Sequence, residues 1–287
     1  MASHNVGRTA IGAMAFKAIE SFVTDEQRLF DDSVSVQFLP AGLRFIVRQR
    51  LLRRAFLRVL DRRMPGTYGG MVCRTRYLDD VVTAGVSAGI GNIIIVGAGL
   101  DTRPYRLKAC AAARVFELDL PAMIEEKRQR VTQLLAALPE HVAYIPIDFD
   151  SEDLGVRLAR AGLDPQARVL VILEGVTQYI SEQAVHSILR FVARAPRDSE
   201  VVFTYVLKEV IEGTSTVFGA DGGRRIGRQY HWVFGFDPTH LSESLHRLGL
   251  KLIEDVGATD YQIRYLAPLH RDLKVFQIER IARARVR

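Results

Sequence analysis

The chain is short of the features that would make it a secreted, membrane-spanning or metal-holding protein. Among 287 residues there are two cysteines, Cys73 and Cys110, and no CxxC pair. That usage suits unpaired thiols in a reducing compartment and excludes a disulfide framework or a cysteine metal site. The seven histidines show no metal-ligand spacing, so no metal is expected. No uninterrupted apolar run reaches 18 residues, which argues against a membrane span. The opening MASHNVGRTAIGAMAF lacks a positively charged start leading into a continuous apolar core, so a leader is not expected and the localisation read from the sequence is cytoplasmic.

Acidic residues are nearly absent from one segment. Between Ala41 and Arg63 stand eight arginines (44, 48, 50, 53, 54, 58, 62 and 63) and a single acid, Asp61. The net charge of +6 therefore belongs to this segment, and the rest of the chain is close to neutral. At helical spacing Arg44, Arg48, Arg54, Arg58 and Arg62 fall on one arc, with Phe45, Leu52, Phe56, Val59 and Leu60 opposite. This reads as a helix docked by its apolar side, with an anionic membrane surface, a nucleic-acid backbone or an acidic partner as the sharper alternatives. No aromatics interleave the basic arc, so specific nucleic-acid recognition is disfavoured.

What is present is a nucleotide-site grammar. In Asn92–Asp119, NIIIVGAGLDTRPYRLKACAAARVFELD, an apolar run (Ile93 to Val96) ends in Gly97-Ala98-Gly99, and a second run ends in Glu117 and Asp119. A buried strand ending in glycine lets backbone approach a ligand closely. A carboxylate about 20 residues on, at the end of the next strand, accepts from ribose hydroxyls. Further apolar runs at Val142–Ile147, Val169–Leu173 and Val201–Tyr205 alternate with helical segments at Thr102–Ala112, Pro121–Leu138, Asp153–Ala161 and Glu182–Ala193. That alternation predicts an α/β, doubly wound, Rossmann-like sheet, mostly parallel. Leu250–Val256 and Lys274–Ile278 read as two last strands forming an antiparallel C-terminal edge. Residues 1–90 read as an N-terminal helical cap and 91–287 as the cofactor-binding domain, with a lid insertion after the fifth strand at about 206–236.

Two familiar nucleotide enzymes are excluded by what the motif lacks. The third glycine of a dinucleotide fingerprint is replaced by Thr102, and Asp101 stands where a helix N-terminus would meet a pyrophosphate. A carboxylate there repels phosphate but tolerates a phosphate-free cofactor with a positive centre, such as S-adenosyl-L-methionine. No Tyr-x-x-x-Lys pair follows from Tyr205, and no GK[ST] loop occurs.

The segments CRTRYLDD (Cys73–Asp80), VGAGLDTRPYRL (Val96–Leu107), FELDLPAMIEEK (Phe116–Lys127), PIDFD (Pro146–Asp150) and LEGVTQYISEQAV (Leu173–Val185) resemble those of the leucine carboxyl methyltransferase family, in its bacterial, largely actinobacterial S-adenosyl-L-methionine-dependent branch. Gly235–Leu250 is a weaker match. The resemblance implies a class I methyltransferase fold and an S-adenosyl-L-methionine site. It implies Arg74 at the methionine carboxylate, Gly97 and Gly99 along the methionine part, and Asp119 at the ribose. Asp148 and Phe149 would lie beside the adenine, and Glu174 at the methionine amino group. Tyr179 belongs to the same pattern and with Glu174 is a catalytic candidate; Arg103 and Arg106 read as ion-pair formers.

His231, in the aromatic run Tyr230–Phe234, is the candidate general base should the acceptor need one. Tyr205, Tyr230, Trp232 and Phe234, with Phe218 and Phe236, offer apolar surface for a small acceptor, and Arg224, Arg225 and Arg228 could guide an anionic one. The expected activity is O-methylation of a small, secondary-metabolite-like molecule, a carboxylate favoured over a hydroxyl. N-methylation is the nearest alternative. A non-catalytic cofactor-binding protein engaging an acidic partner through the arginine-rich helix is the other. Monomer and homodimer are both compatible with the sequence.

Overall fold

The computed structural model describes residues 2–215, 227 and 231–287. Seven strands, β1 (Asn92–Val96), β2 (Arg114–Asp119), β3 (Val142–Pro146), β4 (Val169–Leu173), β5 (Glu200–Val206), β6 (Leu250–Val256) and β7 (Glu279–Val286), form one sheet in the order β3-β2-β1-β4-β5-β7-β6. The first five pair in parallel, and β7 runs antiparallel between β5 and β6. This is the mostly parallel, doubly wound sheet with an antiparallel C-terminal edge that the sequence pattern predicted.

The central strands are apolar on both faces because both faces are covered. Alternate residues of β1 divide between two cores. Ile94 and Val96 join Leu158, Ile188, Leu189 and Leu245 on one side; Ile93 and Ile95 join Val72, Leu78, Val81 and Cys110 on the other. A third core belongs to the N-terminal cap, where α1 (Ala2–Glu20), α2 (Ser33–Phe38) and α3 (Ala41–Arg48) bury Met14, Ile19, Val36, Phe38 and Val47 against Leu100 and Val131. The helix α5 (Thr67–Ser87), counted with the cap from sequence, packs on the sheet itself through Val72, Tyr77 and Val82.

Two local expectations need correction. The arginine-rich segment is two helices, α3 and α4 (Arg50–Arg63), broken at Gln49, whose backbone is extended. Lys274–Ile278 is not a strand: Phe276 N–H donates to the Gly66 carbonyl, and its ring packs over Gly70 at the start of α5. The last strand is instead the charged ERIARARV. It enters the sheet because its charges are met laterally, Arg283 and Arg285 by Glu200 of β5 and Arg280 by Asp255 of β6.

Helix boundaries follow local chemistry. The Ser181 hydroxyl accepts from Ala184 N–H to cap the helix Glu182–Ala193, and Pro121 occupies the first turn of Pro121–Leu135, where its missing N–H costs nothing. No helix among the described residues is long and apolar enough to cross a membrane. Cys73 and Cys110 are buried free thiols, pushed up to about 12 by burial.

Candidate active site

The order of the sheet reverses between β1 and β4, the crevice where open α/β sheets bind ligands. Val96 is level with Leu118 of β2 and Leu173 of β4. The sequence therefore brings Gly97, Asp119 and Glu174 to one edge, each at or just past the end of its strand.

The turn after β1 is held from behind. Gly97 has φ +65°, and a Cβ there would stand 2.4 Å from Val176 Cγ2, so neither conformation nor space admits a side chain. Gly99 has φ +43°, but a Cβ there would meet nothing nearer than the Gly97 carbonyl at 3.9 Å, so its outer side is open. Asp119 fixes the turn: one carboxylate oxygen accepts from Gly99 N–H at 2.6 Å, the other from Leu120 N–H at 2.7 Å. Burial raises the Asp119 carboxyl above its ordinary range, and these two donors only partly offset it.

Behind Asp119, Glu117 is fully buried. It pairs with Lys127, also fully buried, and accepts from Tyr105 Oη at 2.7 Å. Lys127 Nζ also donates to the Ala98 carbonyl at 3.3 Å, tying the pair to the glycine turn. Burial pushes Glu117 up to about 7 despite the ammonium beside it.

The centre of the site is a buried ion network around Glu174. This carboxylate meets Lys17 of α1 at 3.3 Å, Arg74 of α5 at 3.0 Å and Arg103 at 2.6 Å. Burial works to raise it, but Lys17, Arg103 and Arg74 together hold it well below the usual carboxylate range. Arg74 also grips Glu279 of β7 at 2.8 Å, and Arg103 binds Asp79 and Asp101 at 2.8 and 2.6 Å. Arg106 joins Asp79 at 2.7 Å and Asp32 at 3.4 Å. Four cations thus meet five carboxylates, leaving one negative charge in excess. Among the described residues, Arg103 Nη2 is buried with no hydrogen-bond partner. Asp101 accepts from Arg103 N–H at 2.9 Å, so a carboxylate does occupy the helix start where a dinucleotide's phosphate would lie.

The predicted site residues separate into groups. Arg74, Gly97, Gly99, Asp119 and Glu174 line the C-terminal ends of the central strands, with Arg74 already committed to Glu174 and Glu279. Lys17 and Arg103, not singled out as site residues, reach Glu174 as directly as Arg74 does. Asp148 is exposed and accepts within its own turn from Asp150 N–H, while Phe149 packs half-buried against the sheet core. Tyr179 is half-buried on the loop after β4.

Tyr205 does not suit an acceptor surface: it is fully buried, and its hydroxyl is bound to Asp255 at 3.0 Å. Phe234 meets Phe236 and His186 edge-to-face, and Trp232 packs beside Val206, Val210 and Ile278. His231 is exposed with φ +56°. Val233 N–H donates to the Gln178 carbonyl at 2.8 Å, which ties the end of the insertion to the loop carrying Tyr179. Tyr230, with Phe218, Arg224, Arg225 and Arg228, lies outside the described residues.

A model of the leucine carboxyl methyltransferase family matches residues 10–193. A Frankia alni protein described as an S-adenosyl-L-methionine-dependent methyltransferase is 34% identical over 64% of this chain, and the match spans 62% of its own length. A second protein of that organism and description is 30% identical over 72% of this chain and 71% of its own. One from Mycobacterium avium is 26% identical over 93% of this chain and 91% of its own. Among solved structures, a DUF574 family protein from Streptomyces avermitilis superposes with a TM-score of 0.58 at 16% identity, covering 96% of this chain and 97% of its own. A Thermobifida fusca protein described as a methyltransferase gives 0.58 at 17% identity, covering 82% and 88%.

Proposed function

The chain belongs to the leucine carboxyl methyltransferase family of S-adenosyl-L-methionine-dependent methyltransferases, and from that premise we propose that it methylates a carboxylate oxygen of a small molecule. The observation that carries the acceptor class is the state of Glu174. Three cations hold it ionised far below neutral pH, so it has little affinity for a proton and does not serve as a general base. A hydroxyl acceptor must lose a proton as it is methylated; a carboxylate is already ionised and needs no base.

The residues present fit the cofactor. Bound S-adenosyl-L-methionine supplies a methyl group activated by a positive sulfur, so displacement at that carbon needs alignment and exclusion of water more than proton transfer. Asp119 is placed to accept from ribose hydroxyls while keeping Gly99 in position. Glu174 suits an ammonium group. The orphaned Arg103 Nη2, beside Arg74, is a donor awaiting a carboxylate oxygen. The network's single excess negative charge complements a zwitterion that carries an additional sulfonium, and is left uncompensated once the sulfur has become neutral, which favours product release.

The insertion, pinned through Val233 to the loop after β4, is suited to cover the acceptor with Trp232 and Phe234. Its one described base candidate is His231, which would support a hydroxyl or amine acceptor as the second reading. Turnover against an acceptor library, followed as S-adenosylhomocysteine release, separates the readings when combined with the base stability of the product. A methyl ester releases methanol in base, whereas an ether or a methylamine does not. Under the carboxylate reading His231→Ala retains turnover; a loss of a hundredfold or more, on the general-base scale, would point to the second reading.

A further inference from the structure

Among the described residues, α4 is a long surface helix that the methyltransferase site leaves unused, and it contributes no fully buried residue. Its packed side is formed by Phe56, Leu57, Leu60 and Arg53; Arg53 donates to the Val47 carbonyl and lies over the Phe22 ring. Two further rows, each at four-residue spacing, run along its outer surface. Arg50, Arg54, Arg58 and Arg62 form one, all exposed and in no ion pair among the described residues. Leu51, Ala55 and Val59 form the other, also exposed, with Leu51 at 78% and Val59 at 50%. At 1.5 Å per residue the arginine row extends about 18 Å and the apolar row beside it about 12 Å. Phe45 of α3 is also exposed, at 59%.

We propose that α4 docks the protein on an anionic lipid surface, lying in the plane of the headgroups with its leucine and valine row in the acyl boundary and its arginine row on lipid phosphates. The pairing of the rows selects this occupant. A nucleic acid would neutralise the arginines but leave Leu51 and Val59 in water. A second copy of the chain would cover the apolar row but set arginine rows of like charge beside each other. An anionic bilayer satisfies both, by apolar insertion and by electrostatic attraction. The contact is peripheral and needs no spanning helix.

The test is co-sedimentation of the full chain with vesicles of phosphatidylcholine alone and of an equimolar phosphatidylcholine–phosphatidylglycerol mixture. Binding is expected to the mixture only, and to weaken with salt. Arg54→Gln with Arg58→Gln should lower partitioning about fivefold per arginine, and Leu51→Gln with Val59→Gln about tenfold or more. Both variants should bind S-adenosyl-L-methionine as the unmodified chain does, since neither position touches the cofactor site; this separates the docking surface from the methyltransferase assignment and from misfolding. Equal sedimentation with neutral and mixed vesicles overturns the proposal. So does full retention by the leucine–valine variant, the behaviour of a purely electrostatic nucleic-acid or acidic-protein contact. A dimer in size exclusion that dissociates on Leu51→Gln would make the row a self-interface instead.

Discussion

Replacing Asp119 with asparagine isolates the residue on which the cofactor assignment turns. Its two oxygens take separate backbone donors, Gly99 N–H at 2.6 Å and Leu120 N–H at 2.7 Å, in a position 7% exposed. Asparagine keeps the shape but offers one oxygen and one amide, so one of the two N–H groups must face another donor. An unsatisfied buried donor costs about 1–3 kcal/mol. Part of that is returned, because the ionised Asp119 itself bears a burial penalty. Stability should therefore fall by about 1 kcal/mol or less. Cofactor affinity should fall further, since the charged acceptor proposed for the ribose hydroxyls is lost. At about 1.5–3 kcal/mol for a hydrogen bond to a charged group, the Kd for S-adenosyl-L-methionine rises about ten- to hundredfold. Calorimetric titration with the cofactor, together with thermal unfolding without it, measures the two effects separately. An unchanged Kd, or a loss of affinity explained wholly by unfolding, refutes the reasoning.

Arg103→Lys replaces a fork that meets Asp79, Asp101 and Glu174 with a single nitrogen. Stranding buried carboxylates costs about 3–5 kcal/mol, a Tm lower by about 10 °C, and a shift of under two degrees would show the network to be dispensable. Gly97→Ala forces a Cβ to 2.4 Å from Val176 at φ +65° and should both destabilise the fold and abolish cofactor binding; Val176→Ala in the same chain relieves the contact but not the φ strain, so only partial rescue is expected. Glu117→Gln tests the buried pair through pH. Because the folded-state carboxyl is raised from 4.5 to about 7, its contribution to stability is complete below the unfolded value and lost as pH rises through about 7. The stability of the unmodified chain relative to Glu117→Gln should fall by up to about 3 kcal/mol between pH 5 and 8; parallel stability curves over that range would contradict it.

Much of this architecture was legible in the sequence because the central strands are buried on both faces and read as unbroken apolar runs bounded by glycine or acid. Gly97, Gly99 and Asp119 stand out for the same reason, since strand ends are where chemistry interrupts hydrophobicity. The last strand was hidden: ERIARARV carries charge that only its lateral partners, Glu200 and Asp255, make tolerable in a sheet. Lys17 was hidden differently. Its importance lies in converging on Glu174 from 157 residues away, which no local pattern encodes, whereas Arg103, 71 residues away, was legible as an ion-pair former but not its partner. A lone lysine within the apolar stretch Ala13–Ile19 was the available signal. Tyr205 misled because an aromatic at a strand end fits an acceptor surface equally well until its hydroxyl is seen bound to Asp255.

The most direct test of the account is calorimetric titration of the unmodified chain with S-adenosyl-L-methionine and, separately, with NAD. One cofactor molecule should bind per chain, Asp119→Asn should weaken it, and NAD should give no heat, because Asp101 occupies the helix start that a pyrophosphate needs. Binding of NAD, or no binding of S-adenosyl-L-methionine, would contradict it.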